Sequence, residues 1–449
     1  MSQLLFATIF TFLFPAIASA HGIGEVYKLP VPLHYYLAGA GVAVAVSFFA
    51  LGLFFNKPSS GKELNRIVHV PWLSSVLKGG RVLAVLLLLL TIATGAFGAD
   101  DLSKNFAPTF FWVYFLIGFS ILSALIGNLW DKLNPWKTLA YATGLPRKTG
   151  KQVSGWVGVV LLLGLFWLEL VSGKSFIPST VGLALLGYSW FAIVFSRFYD
   201  NWYTEGELFS VLYGFIGKLA FVRISDDNTS LILTNPYKGT KAATAHWWTL
   251  GLASVLLAGA SFDSLKESTL WFDWIQALGF TGSTYKIADT LGLILAPIPF
   301  YALYLAAIGI MRKLMGNTYD FKTLAYRFVW SLIPIAFGYT LAHNFSLTIV
   351  AAPSMLAFLS DPFGFGWNLF GTADFAQTNL LLGAKAVWFT EIGFIVAAHI
   401  AGVWFAHVVA MHLFPNTQQA TKSQYPMLLL MVGYTVMTLW LLSQPIVVR

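Results

Sequence analysis

Of 449 residues, 57% are hydrophobic and only 10% charged, against about 25% charged in soluble domains, so an ordinary water-soluble fold is excluded. There is no cysteine, which rules out disulfides, cysteine-ligated iron–sulfur clusters, c-type haem attachment and a thiol nucleophile. The net charge of +8 would suit nucleic acid, but the basic residues lie in short loops between apolar runs, where the positive-inside effect accounts for them. No nucleic-acid partner is expected.

The chain opens with a short apolar run, Leu4 to Ile17, closed by Ala18-Ser19-Ala20. Small residues after a short hydrophobic core read as a signal-peptidase site, although no Lys or Arg precedes the run. Residues 1–20 are thus expected to be a signal peptide and 21–449 a single transmembrane helical domain. Cleavage would leave His21 as the new terminus, with an α-amine and an imidazole on one residue. That pair can chelate a borderline metal such as copper.

Ten spans of about 20 residues follow in order. They are Val31–Phe55, Val82–Gly98, Ala107–Gly127, Gln152–Val171, Thr180–Ser196, Ala245–Leu265, Ile287–Ile310, Phe328–Ala351, Ala386–Val408 and Tyr425–Ser443. The expected fold is all-α, a polytopic transmembrane helical bundle of about ten spans after a cleaved signal peptide. With the mature N-terminus outside, 20 of the 27 Lys and Arg fall in segments on the inner side, which is the bias that orients membrane proteins. The reading is a bacterial cytoplasmic (inner) membrane protein in the lipid bilayer, with both mature termini periplasmic.

Between spans, Thr204-x-x-Glu207 resembles a capping box, and the apolar residues from Leu208 to Leu219 recur at helical spacing. That helix is expected in the inner interface or beneath the bundle. The segment from Pro353 to Lys385 contains Asp361-Pro362-Phe363-Gly364-Phe365-Gly366-Trp367, which suits an ordered re-entrant or lid-like loop. Lys137-Thr138-Leu139-Ala140-Tyr141 recurs as Lys322-Thr323-Leu324-Ala325-Tyr326, an echo that either a parallel repeat or coincidence can produce.

Ionisable groups inside a bilayer are costly and therefore functional candidates. Here they are His34 at the start of the first span, Glu169 ending the fourth, Asp289 starting the seventh, His343 in the eighth, and Glu391, His399 and His407 in the ninth. Each of the last three descends about 12 Å from the one before, too far for two of them to share a metal ion bound at about 2.0–2.1 Å. The useful combination is across helices. His21, His34, His343, His399 and Glu391 are the candidate metal ligands, with Glu391 as a catalytic base. His343 and His399 could alternatively hold haem b, since axial ligation needs one imidazole from each of two helices. The plainer reading of His343 and His399 is an interhelical hydrogen bond. His407, His412, His69 and His246 read as interfacial or hydrogen-bonded rings. No H-E-x-x-H, G-x-S-x-G or Walker A motif is present.

Several patches resemble a family of bacterial polytopic membrane proteins labelled fenitrothion hydrolase. They begin with His21-Gly22-Ile23-Gly24-Glu25-Val26-Tyr27-Lys28-Leu29-Pro30-Val31-Pro32, followed by Asn134-Pro135-Trp136-Lys137, Gly206-Glu207-Leu208-Phe209-Ser210-Val211 and Gly217-Lys218-Leu219-Ala220. Further patches are Gly338-Tyr339, Ala342-His343, Asp361-Pro362-Phe363-Gly364, Gly366-Trp367, Ala398-His399-Ile400-Ala401-Gly402 and Ala406-His407. After the last, the family would carry Asp-Arg where this chain has Val408-Val409. The resemblance implies hydrolysis of organophosphorus-type esters.

Three functions stay open on the sequence. One is a metal-assisted hydrolase of lipophilic esters, with zinc or another divalent metal in a periplasm-side His/Glu pocket. Another is a copper- or haem-binding redox protein. The third is a transporter or a structural subunit of a membrane complex. A lipophilic small molecule and further membrane-complex subunits are the partners these readings imply.

Overall fold

A computed structural model describes residues 20–22, 25–27, 32–54, 66–241, 244–375 and 382–444. The expected signal peptide lies outside them apart from Ala20, and the side chain of His21 is likewise outside. Among the described residues, nine helices are long and apolar enough to cross a membrane. The chain is an all-α membrane bundle.

In chain order, a small hairpin of β1 (Ala20–Gly22) and β2 (Glu25–Tyr27) precedes α1 (Leu33–Phe54). Then come β3 (Arg66–His69), α2 (Leu73–Phe97), α3 (Phe106–Ile126), and the short helices α4 (Leu129–Leu133) and α5 (Pro135–Ala142). Next are α6 (Trp156–Leu170), α7 (Pro178–Phe195), α8 (Leu208–Ile216), β4 (Val222–Ile224), β5 (Ser230–Leu233) and α9 (Pro236–Lys241). The second half holds α10 (Trp247–Lys266), α11 (Thr269–Ala277), α12 (Tyr285–Leu295), α13 (Pro297–Leu314), α14 (Phe321–Phe328) and α15 (Leu332–His343). The chain finishes with α16 (Phe345–Ala351), α17 (Met355–Ser360), α18 (Ala384–Leu413) and α19 (Thr417–Leu442).

The bundle has two wings. One packs α2 against α7, with α3 and α5 beside them; the other gathers α1, α10, α13, α15, α18 and α19. Between them run α6 and α8, with α6 touching α10 and α8 touching both α3 and α15. Small residues set the closest crossings, since Gly95 and Gly182 bring the backbones of α2 and α7 together so tightly that a Cβ on either would meet the other chain at 2.7–2.8 Å. This is how membrane helices associate when lipid supplies no hydrophobic drive.

Loops at the two ends differ. One end carries the antiparallel sheet β3-β5-β4, which the sequence pattern did not suggest; we call it the sheet end. The other carries the long segment after α17 and is the loop end. There Asn105 caps α3 by accepting from the Ala107 amide and donates to the Thr94 and Ala99 carbonyls, tying α2 to α3. The Asp361 carboxylate accepts from the amides of Phe365 and Gly366, and Ala99 donates to the Phe363 carbonyl. The expectation of an ordered loop holds for residues 361–375.

Two expectations need correction. The fourth span is a helix of 15 residues, only about 22 Å long at 1.5 Å per residue. Its expected first residues are irregular instead, where Asn201 pairs with both the amide and the carbonyl of Val153. The second concerns α8, whose residues Leu208–Ser210, Val211–Tyr213, Phe215 and Ile216 are all buried; it lies inside the bundle, not in an interface or beneath it. Thr204 does not cap it. Glu207 does, accepting from the Phe209 and Ser210 amides.

Candidate functional site

The ionisable side chains that meet inside the bundle come from four helices near the loop end. Their placement starts at the α15–α18 crossing. A Cβ on Gly338 would collide with the Ala398 methyl, and one on Gly402 would lie 2.9 Å from the Ser331 carbonyl. With Gly at both places the helices lie close enough for His343, near one end of α15, to act electrostatically on Glu391 of α18.

His343 does not pair with Glu391, however. Its Nε2 lies 2.8 Å from Asp263 Oδ2, on the last turn of α10. A carboxylate can only accept, so Nε2 donates and the ring is held in one tautomer. Lys266, one turn after Asp263, approaches its Oδ1 at 3.3 Å and donates to the Leu170 carbonyl at 2.9 Å. Glu267 is 3.6 Å from the same ammonium; burial, and then the neighbouring Asp263 charge, raise its carboxyl above the ordinary value. Glu169, at the end of α6, is within electrostatic reach of Asp263, His343 and Lys266. Glu391 accepts from Ser346 Oγ at 2.8 Å.

Glu169 and His343 line one cavity of about 50 Å³, walled by Leu116, Ile117, Leu162, Ile216 and Leu256. Ser120, Thr340 and Asn344 are the other polar side chains in its otherwise apolar lining. Carboxylates outnumber cationic groups in this cluster: Glu169, Asp263, Glu267 and Glu391 stand against Lys266 and His343. In a low-dielectric setting such an excess of negative charge draws in protons or cations.

The other expected ligands are elsewhere. His34 is exposed and rests against Tyr35. His399 is buried, with Nδ1 2.8 Å from the Ile395 carbonyl, its ring 5.7 Å from that of Tyr434, and its Nε2 without a hydrogen-bond partner. No bond joins His399 to His343; Tyr434 and Tyr339 stand between their rings. Among the described residues, no three His, Asp or Glu side chains are grouped to hold a metal ion, so a metal set of His34, His343, His399 and Glu391 is not assembled. His343 is engaged by Asp263, His399 by the Ile395 carbonyl and Glu391 by Ser346. Of these groups, His343 and Asp263 are in direct contact. Asp289 accepts from the Trp271 indole at 2.7 Å. His407, buried, lies 3.3 Å from Gln424, in line with a hydrogen-bonded ring.

Sequence reasoning missed Asp263. The signal was there: Asp263-x-x-Lys266 puts opposite charges one helical turn apart at the end of an apolar span. No family model, curated protein or solved structure matches the chain.

Proposed function

We propose that this is a proton-handling membrane protein, a proton-coupled carrier or a component of one, whose working element is the His343–Asp263 dyad with Glu169 and Glu391. The observation that carries it is the 2.8 Å imidazole–carboxylate contact between two spanning helices. Imidazole is the side chain that exchanges protons most readily near neutrality, and intramembrane acid–histidine chains recur in proton relays. The Lys and Arg bias supports a periplasmic loop end, so the dyad would exchange protons from that side.

Cavity size favours this reading over ester hydrolysis. About 50 Å³ accommodates one or two waters at about 30 Å³ each, whereas sites for drug-sized ligands run to about 300–1,000 Å³.

The test is proton flux into liposomes that contain the protein and an internal pH dye, driven by a potassium diffusion potential. Wild-type protein should carry protons, and Asp263→Asn or His343→Ala should slow the flux by roughly a hundredfold, the scale of a lost positioned acid–base group. Wild-type vesicles no faster than empty ones would overturn the proposal.

A further inference from the structure

A second pocket lies at the sheet end of the bundle. It is a cavity of about 170 Å³ between α9, α14 and α18, lined by Tyr237, Thr240, Arg327, Trp330, His412 and Leu413 among others. None of the described lining residues is acidic. Arg327 is exposed and makes no ion pair among the described residues, yet it lies near enough to Tyr237 to act on its hydroxyl. The His412 ring packs on Tyr237 with centroids 4.8 Å apart, and its Nδ1 is 2.8 Å from the Val408 carbonyl. That carbonyl only accepts, so Nδ1 carries the hydrogen and donates it. The buried wall is Trp330, Val409 and Thr240.

A guanidinium with no carboxylate partner offers planar paired donors that match phosphate oxygens. An imidazole beside it adds a second cation when protonated, and a phenol adds a neutral donor. We propose that this pocket binds a phosphate group. The source is either an anionic phospholipid head group or a soluble phosphate. The apolar wall beside the cationic rim makes the lipid the expected source, as in basic pockets between helices on the inner side of membranes. This proposal does not rest on proton handling.

The experiment titrates the purified full-length protein in detergent with dioctanoyl phosphatidic acid and, separately, with inorganic phosphate. Lipid binding that Arg327→Gln weakens by about tenfold, the scale of one charge-assisted bond, supports the proposal. So does the same loss with inorganic phosphate alone, which would assign the soluble source. His412→Gln, at an exposed position, should weaken binding several-fold and serves if Arg327→Gln fails to fold. Lys313→Gln, outside the pocket, should bind as wild type. The proposal is overturned if neither probe binds, if both pocket variants bind as wild type, or if Lys313→Gln loses as much as they do.

Discussion

Glu207 shows how much one side chain can organise in a membrane interior. Its carboxylate is fully buried and accepts from Trp130 Nε1, Asn134 Nδ2, the Tyr188 hydroxyl, Ser210 Oγ and the amides of Phe209 and Ser210. Those donors come from α4, the α4–α5 junction, α7 and α8 itself, so the group joins one wing to the helix between the wings. Glu207→Ala would strand four side-chain donors, each costing about 1–3 kcal/mol when unsatisfied. A loss of about 3 kcal/mol or more is expected in detergent unfolding, and an unchanged unfolding midpoint would contradict this role. Only part of that role was legible in the sequence. Thr204-x-x-Glu207 marks a helix start correctly, but the cap falls on Glu207 because Trp202–Gly206 is wound as a wider π turn, with the Trp202 indole donating to the Ala192 carbonyl. Local spacing carries no sign of Trp130, more than seventy residues away. Asp263 lies within the expected span Ala245–Leu265 and escaped for the same reason, since its partner His343 is on another helix.

Elements were easier to read than contacts. Hydropathy alone located the long apolar helices, because a bilayer demands about 20 apolar residues per crossing, but not all of their ends: α2 starts at Leu73 where Val82 was expected, and α19 at Thr417 where Tyr425 was expected. It failed where a polar contact overrode it, at the irregular residues before α6, and where strands are short and exposed, at β3. It also could not say that α15 and α18 are neighbours, since that depends on Gly338 facing Ala398. The crossing is therefore the element to test. Gly338→Ala forces the added methyl against the Ala398 methyl, and overpacking of this kind costs about 1–3 kcal/mol. The expected outcome is a less stable protein whose proton flux falls further than its folded fraction, because His343 moves away from Asp263 and Glu391. Paired Gly338→Ala and Ala398→Gly should restore both flux and unfolding midpoint. Failure of the second change to rescue either would show that the close crossing does not set the site.

At the scale of the whole molecule the two candidate sites lie at opposite ends, and the proposed functions depend on which end faces which compartment. Proton entry at the dyad requires the loop end outside, and an anionic lipid of the inner leaflet requires the sheet end inside. The charge distribution argues for both at once, since the short loops at the sheet end hold most of the Lys and Arg and such loops are retained in the cytoplasm. Because the chain has no cysteine, single thiols can be placed without background. Ser103 hydrogen-bonds to Asp101 at the exposed loop end, and Thr229 bonds to Asp227 in the β4–β5 turn at the sheet end. In intact spheroplasts, Ser103→Cys should react with a membrane-impermeant maleimide and Thr229→Cys should react only after lysis. The reverse pattern would invert the molecule: the dyad would then face the cytoplasm, the Arg327 pocket would face the outer leaflet, and the argument from inner-leaflet lipid would fail while the dyad's chemistry stood.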